Sequence, residues 1–289
     1  MTVSELLILS AAGLFAGILA GFLGIGGGTV LVPLLVALKY EPLQAVATSS
    51  LSIAITAISG SFQNWRMGYF SFSQVAKIGF PAVITAQFGV YLAGIFPSYF
   101  LLLAFGLLLL LNIYLTEIRK NLTNQQASAD WQEGMGGQTG QAENSQLPIT
   151  HSQFPNHDNI LFHPTFAKII TGTLAGLLAG LFGVGGGVIM VPLQILLLRE
   201  SIKTAIQTSL GVIVITAISA TLGHAARGNV LWNVGLILGA GGLLGAQVST
   251  RFLPKLSDRT VSLAFRSLLA LLSVYVFWQA WQQFTQKYI

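Results

Sequence analysis

Apolar segments separated by short polar breaks organise the whole chain. In the first half they cover residues 6–23, 28–38, 43–62, 74–96 and 99–117, and in the second 166–182, 187–198, 203–223, 230–252 and 261–283. Several of these runs, including Leu6 to Leu23, Val75 to Phe96, Tyr99 to Leu115 and Val261 to Ala280, approach or exceed the roughly 20 residues a helix needs to cross the hydrocarbon core. They carry no sustained period of two, so they do not read as the wall of a porin. A helix satisfies its own amides in lipid, and the pattern predicts an all-α polytopic membrane protein. Segments 28–38 and 187–198 are too short to cross alone as full helices.

The two halves are copies. "LAGFLGIGGGTVLVPL" at Leu19 to Leu34 returns as "LAGLFGVGGGVIMVPL" at Leu178 to Leu193, glycine for glycine and proline for proline, at a spacing of 159. After one inserted residue the match continues at 160, through Thr48 and Thr208, "ITAIS" at Ile55 to Ser59 and Ile215 to Ser219, and "AQ" at Ala86 and Ala246. Repetition of this kind marks an internal duplication. The organisation expected is therefore a membrane repeat over 1–118, a hydrophilic linker over 119–163 and a second membrane repeat over 164–289.

Composition agrees: 53% of residues are hydrophobic and 8% charged, where a soluble domain has roughly a quarter charged. The net charge of +5 does not point to nucleic acid, because the basic residues lie between apolar runs, where they set topology. Without cysteine no disulfide or thiolate chemistry is available. The first apolar run is not read as a signal peptide, since its leading residues hold Glu5 but no Lys or Arg. His151, His157 and His163 in the linker do not share a helical face, and no metal site or cofactor is expected.

If every segment changes sides, the halves are inverted repeats. One side then receives Arg66, Lys77, Arg119, Lys120, Lys168, Arg199, Lys203, Arg251, Lys255 and Arg259, and the other Lys39, Arg227 and Lys287. If the short segments only re-enter, the basic residues divide almost evenly. The positive-inside rule favours the inverted arrangement, with the linker in the cytoplasm and both termini outside.

Glycines 24, 26, 27 and 28 and their counterparts Gly183, Gly185, Gly186 and Gly187 weaken any continuous helix, each by up to about 1 kcal/mol against alanine. Pro33 and Pro192 follow, and helices are expected to break at these motifs. Interrupted segments at corresponding positions of two halves are how many transporters aim helix ends at a solute near the midplane. A helix N-terminus suits an anion, so the glycine runs are candidates for substrate binding. The competing reading is close packing, which is preferred for the "GxxxG" spacings of Gly13, Gly17, Gly172 and Gly176. "GIGGGT" fits neither a dinucleotide fingerprint nor a P-loop.

Polar residues inside apolar segments are the next candidates, because lipid tolerates them only with partners. Thr48, Ser49, Ser50, Gln87, Thr208, Ser209 and Gln247 qualify as substrate donors, the alternative being hydrogen bonds to carbonyls of their own helices. Asn64 and His224, with Arg66 and Arg227 close by, sit at matching segment ends and read as a gate. No carboxylate is embedded in an apolar run, which weakens a proton relay.

The two copies of "GxxGxGGGxxxxP", the "TS" pairs and the "GAQ" of Gly245 to Gln247 resemble the TauE/SafE family of bacterial membrane permeases. The resemblance implies transport of small sulfur-containing anions such as sulfite or organosulfonates across the inner membrane. A permease for another small solute is the alternative, or a membrane scaffold or assembly factor; an enzyme is not expected, for want of a nucleophile, metal cluster or acid/base pair.

Overall fold

In the computed structural model, residues 3–114 and 164–288 are described; the linker, with its three histidines, lies outside them. All regular structure among the described residues is helical. The helices are α1 (Val3–Leu23), α2 (Gly28–Ala37), α3 (Pro42–Arg66), α4 (Phe72–Ile95), α5 (Ser98–Tyr114), α6 (Pro164–Phe182), α7 (Gly187–Leu197), α8 (Ile202–Ala225), α9 (Trp232–Phe252) and α10 (Asp258–Tyr288). Seven of them are long and apolar enough to cross a membrane; α2, α5 and α7 are shorter apolar helices. The chain is a multi-pass membrane protein.

Each half packs mainly on the other. Gly13, Gly17 and Gly21 of α1 lie against Leu238, Gly242 and Ser249 of α9, so close that a Cβ on Gly17 would strike the Gly242 carbonyl. Gly172, Gly176 and Gly180 of α6 meet Ile78, Ala82 and Ala86 of α4 in the same way. Lipid is as apolar as a side chain, so no hydrophobic force joins helices there, and dispersion between closely approaching backbones takes over. The packing role expected for Gly13, Gly17, Gly172 and Gly176 is their role in the fold.

The contact registers fix helix directions. Both residue numbers rise together along α1 and α9, as they do along α3 and α9, where Leu231 lies at Thr48, Gly239 at Ile55 and Gln247 at Gln63. They rise together again along α4 and α8, from Gln74 at Thr208 through Gly79 at Ile215 to Gln87 at Ser219. Helices α3 and α8 cross in opposite senses: Gly60 approaches Leu210, while Ile53 and Ile213 meet over the glycines. Helices α1, α3 and α9 therefore run one way and α4, α6 and α8 the other. Both α3 and α8 are largely buried and form the interior.

On one flank α5 and α10 run antiparallel, with Tyr99 beside Phe284 (5.9 Å between ring centroids) and Gly106 beside Phe277. Phe105 packs on Phe182 at 5.6 Å, within a core shared by Leu23, Ile25, Val184 and Phe265.

The helix breaks fall at the glycines, between α1 and α2 and between α6 and α7. Pro33 and Pro192, expected to help break the chain, instead lie inside α2 and α7 without ending them. A proline this close to a helix start removes one intrahelical donor, which neighbours can replace in a membrane. The Pro33 carbonyl accepts from Gln279 Nε2 of α10 at 3.2 Å.

Candidate functional site

Two glycine turns meet at the centre of the fold. Gly24, Gly26 and Gly27 hold φ of 67°, 76° and 76°, and Gly183, Gly185 and Gly186 hold 62°, 75° and 79°. This left-handed conformation costs a side-chain-bearing residue roughly 1 kcal/mol or more and costs glycine nothing. The turns end α1 and α6 and restart the chain as α2 and α7, with Gly27 and Gly186 as N-caps. In the first turn of α2, Val30 and Leu31 both donate to the Gly27 carbonyl at 3.1 Å.

The turns touch one another. A Cβ on Gly28 would collide with the Gly183 carbonyl at 2.6 Å, and one on Gly187 would collide with the Gly24 carbonyl. Two hydroxyls from the interior helices hold this contact across the halves: Ser49 Oγ donates to Gly183 O and Ser209 Oγ to Gly24 O, both at 2.7 Å. Within the second half, Thr216 Oγ1 donates to Gly185 O at 3.0 Å. The side chains nearest the turn glycines are those of Ile53, Ile213, Ile206, Ala16, Ser49 and Ser209, none of them charged. Electrostatically the centre is backbone dipoles and hydroxyls, with two helix N-termini pointing at it.

Of the other candidate donors, Ser50 bonds to its own helix, whereas Thr48, Thr208, Gln87 and Gln247 bond to other elements. Ser50 Oγ donates to Val46 O of its own helix at 3.0 Å. Thr48 Oγ1 accepts from the Leu231 amide at 3.1 Å, and Thr208 Oγ1 donates to Gln74 Oε1 at 3.2 Å. Gln87 Nε2 donates to Ser219 O at 2.6 Å and to Ser219 Oγ at 2.9 Å. Gln247 accepts from Ser59 Oγ at 2.9 Å and donates to Gln63 Oε1 at 3.3 Å. The glutamines are thus tied to the matched serines Ser59 and Ser219, at the end of the repeated "ITAIS", which sequence reasoning passed over. Gln87 and Ser219 wall a groove of about 400 Å³ between α4 and α8, with Val83, Val214, Ile215, Ile218 and Leu222. It lies apart from the glycine turns.

At the helix ends, Asn64 and His224 are fully buried, whereas Arg66 and Arg227 are exposed. Arg66 stacks over Phe62 at 5.9 Å, and Arg227 Nη1 donates to Gly223 O at 3.2 Å. The structure does not gather these four into one cluster.

Glu200 lies in the turn between α7 and α8. Its Oε1 accepts from Gln74 Nε2 at 3.1 Å, joining α4, α8 and this turn in one chain. Burial raises its pKa above the usual carboxylate value; the Lys168 charge and the Gln74 hydrogen bond partly oppose the shift. Among the described residues no cluster of metal-ligating side chains occurs.

A multi-pass helical protein whose paired broken helices meet at an uncharged centre is built as a membrane transporter. Residues 9–276 match the family described as "Sulfite exporter TauE/SafE", and the chain belongs to that family. It is 27% identical to the "Probable membrane transporter protein YunE" of Bacillus subtilis (strain 168), over 92% of this chain and 94% of that one. A "Probable membrane transporter protein" of Xylella fastidiosa (strain Temecula1) is 23% identical over 97% of this chain and 98% of its own. A protein of the same description from Haemophilus influenzae is 40% identical over a shorter stretch, 32% of this chain and 38% of its own. No solved structure matches the chain significantly.

Proposed function

We propose that the protein moves small anions, of the sulfite or organosulfonate class, across the bacterial inner membrane. The observation that carries this reading is the meeting of the two glycine turns, each opening a short helix whose N-terminus carries partial positive charge. Serine and threonine hydroxyls converge on the same place from both halves. These hydroxyls spend their single hydrogens on turn carbonyls and so hold the turns in place, and it is the two helix N-termini that offer an oxyanion partial positive charge, without a full charge that would hold it too tightly to release. The family description supports the substrate class.

The halves are inverted relative to one another. Support comes from the helix directions, since α1, α3 and α9 oppose α6, α8 and α4, their repeat counterparts, and from the basic residues collected on one side. The linker is then cytoplasmic and both termini are outside. The substrate-binding set is Gly24, Gly26, Gly27, Gly28, Ser49 and Thr48 with Gly183, Gly185, Gly186, Gly187, Ser209 and Thr208; Ser50, Gln87 and Gln247 support the walls.

Purified protein in liposomes should move labelled sulfite or a small sulfonate faster than protein-free liposomes do. Equal rates across a panel of small anions would reject the reading. The uncharged centre also favours a second one, a permease for a small neutral solute, and a thermal-shift screen with both classes separates the two.

A further inference from the structure

A second matched feature lies away from the glycine turns. Ser61 and Asn64 occupy successive turns of one face of α3, and Thr221 and His224 occupy the corresponding positions of α8. Exposure is 8% and 0% for the first pair and 6% and 0% for the second. Ser61 Oγ, both amide atoms of Asn64, Thr221 Oγ1 and His224 Nδ1 have no hydrogen-bond partner among the described residues. More than nine in ten buried polar groups are paired, and one left alone costs about 1–3 kcal/mol. The same omission at matched positions of both halves marks two places that expect a guest.

Chemistry narrows the guest. His224 Nε2 lies 3.1 Å from the Gly180 carbonyl, which can only accept, so Nε2 carries the proton and Nδ1 of the neutral ring presents a lone pair. The Thr221 hydroxyl beside it can donate. Ser61 and Asn64 together offer both donors and acceptors. A molecule that donates and accepts at once fits both pairs, and water does so.

Position gives the pairs a purpose. On α8, Ser209, Ile213, Thr216, Ala220 and His224 recur every three or four residues, one stripe running from the hydroxyl at the glycine turn to the pair. On α3, Ser49, Ile53, Thr56, Gly60 and Asn64 repeat it. Because α3 and α8 cross in opposite senses at Ile53 and Ile213, the pairs stand on opposite sides of the crossing, each about 12–17 Å along its helix at 1.5 Å per residue.

We propose that Ser61–Asn64 and Thr221–His224 are two water-binding stations, one toward each face of the membrane, that hydrate the approaches to the glycine turns. This rests on the transport reading and deepens it by giving that site its two approaches. The absence of native cysteine makes the test clean. Single variants S61C and T221C are exposed, in sealed vesicles of known orientation, to an impermeant anionic methanethiosulfonate. A57C and A217C, in the dry apolar crossing, serve as references, and N64C and H224C as a second pair should either first variant fail to fold. Expected is modification of S61C from one face only and of T221C from the opposite face only, each at least about tenfold faster than the references. Labelling no faster than the references, or of both from the same face, overturns the proposal. The outcome is separable from substrate identity. Labelling with no sulfite flux leaves the stations standing and removes the substrate assignment, whereas flux without labelling removes the stations.

Discussion

The two halves are near copies at their centre and differ at their edges. Ser49 and Ser209 make the same cross-half bond of 2.7 Å to the same carbonyl of the opposite turn. One residue earlier the equivalence ends. Thr48 receives a backbone amide from α9, while Thr208 donates to Gln74, which in turn holds Glu200. The counterparts of Gln74 and Glu200 are Val234 and Tyr40, which cannot build that chain. At the centre, left-handed backbone and carbonyls in contact leave no room for side chains, and the two copies match there. At the edges the copies meet different surroundings.

The severest way to break the central symmetry is a side chain where the turns touch. Gly28→Val or Gly187→Val drives a branched group into a backbone carbonyl of the opposite half, at an expected cost of about 3 kcal/mol or more. Loss of monodisperse protein on size exclusion in detergent is the outcome expected for both. Next come Ser49→Ala and Ser209→Ala, each removing a buried donor from a carbonyl at about 1–2 kcal/mol. Their thermal midpoints should fall by similar amounts; a drop confined to one would show that the two bonds are not energetically equivalent.

The edges should respond differently. Glu200 has a raised pKa in the folded protein, so the folded state holds its proton more firmly than the unfolded chain does, and stability falls as pH rises from the ordinary value of 4.5 through the raised one. Glu200→Gln removes this dependence. Melting curves between about pH 4 and about pH 8 should show the variant gaining on the parent as pH rises, and parallel curves would contradict the burial argument. A small effect is expected of Thr48→Val, which leaves one part-buried amide without an acceptor at about 1 kcal/mol. Thr208→Val should cost still less, because Gln74 keeps its bond to Glu200.

Much of the architecture could be read from the residues alone, because membrane helices declare themselves by length and apolarity, and because a duplicated motif pairs positions without further information. The segment limits 74–96 and 230–252 fall within two residues of α4 and α9 at each end. The packing role of Gly13 and Gly17 followed from spacing. Proline misled the reading at Pro33 and Pro192, since a glycine turn just upstream had already ended the preceding helix and left each proline near the start of a new one. The cross-half reach of Ser49 was also hidden: a hydroxyl's choice between its own helix and a neighbour depends on which backbone comes near. Ser61, Thr221, Ser59 and Ser219 could have been found by following the 160-residue offset through every polar position. Glu200 carried no such signal, because its counterpart is Tyr40 and its environment is assembled from three separate elements.

The contact between the turns has a mechanical consequence. Backbone abuts backbone there with no flexible side chain between, so one half cannot slide past the other without lifting a carbonyl off the opposing chain. The same close backbone approach recurs where Gly17 of α1 meets Gly242 of α9 and where Gly176 of α6 meets Ala82 of α4. The halves are therefore interlocked, and a shift that opens the turns has to carry α9 with α1 and α4 with α6.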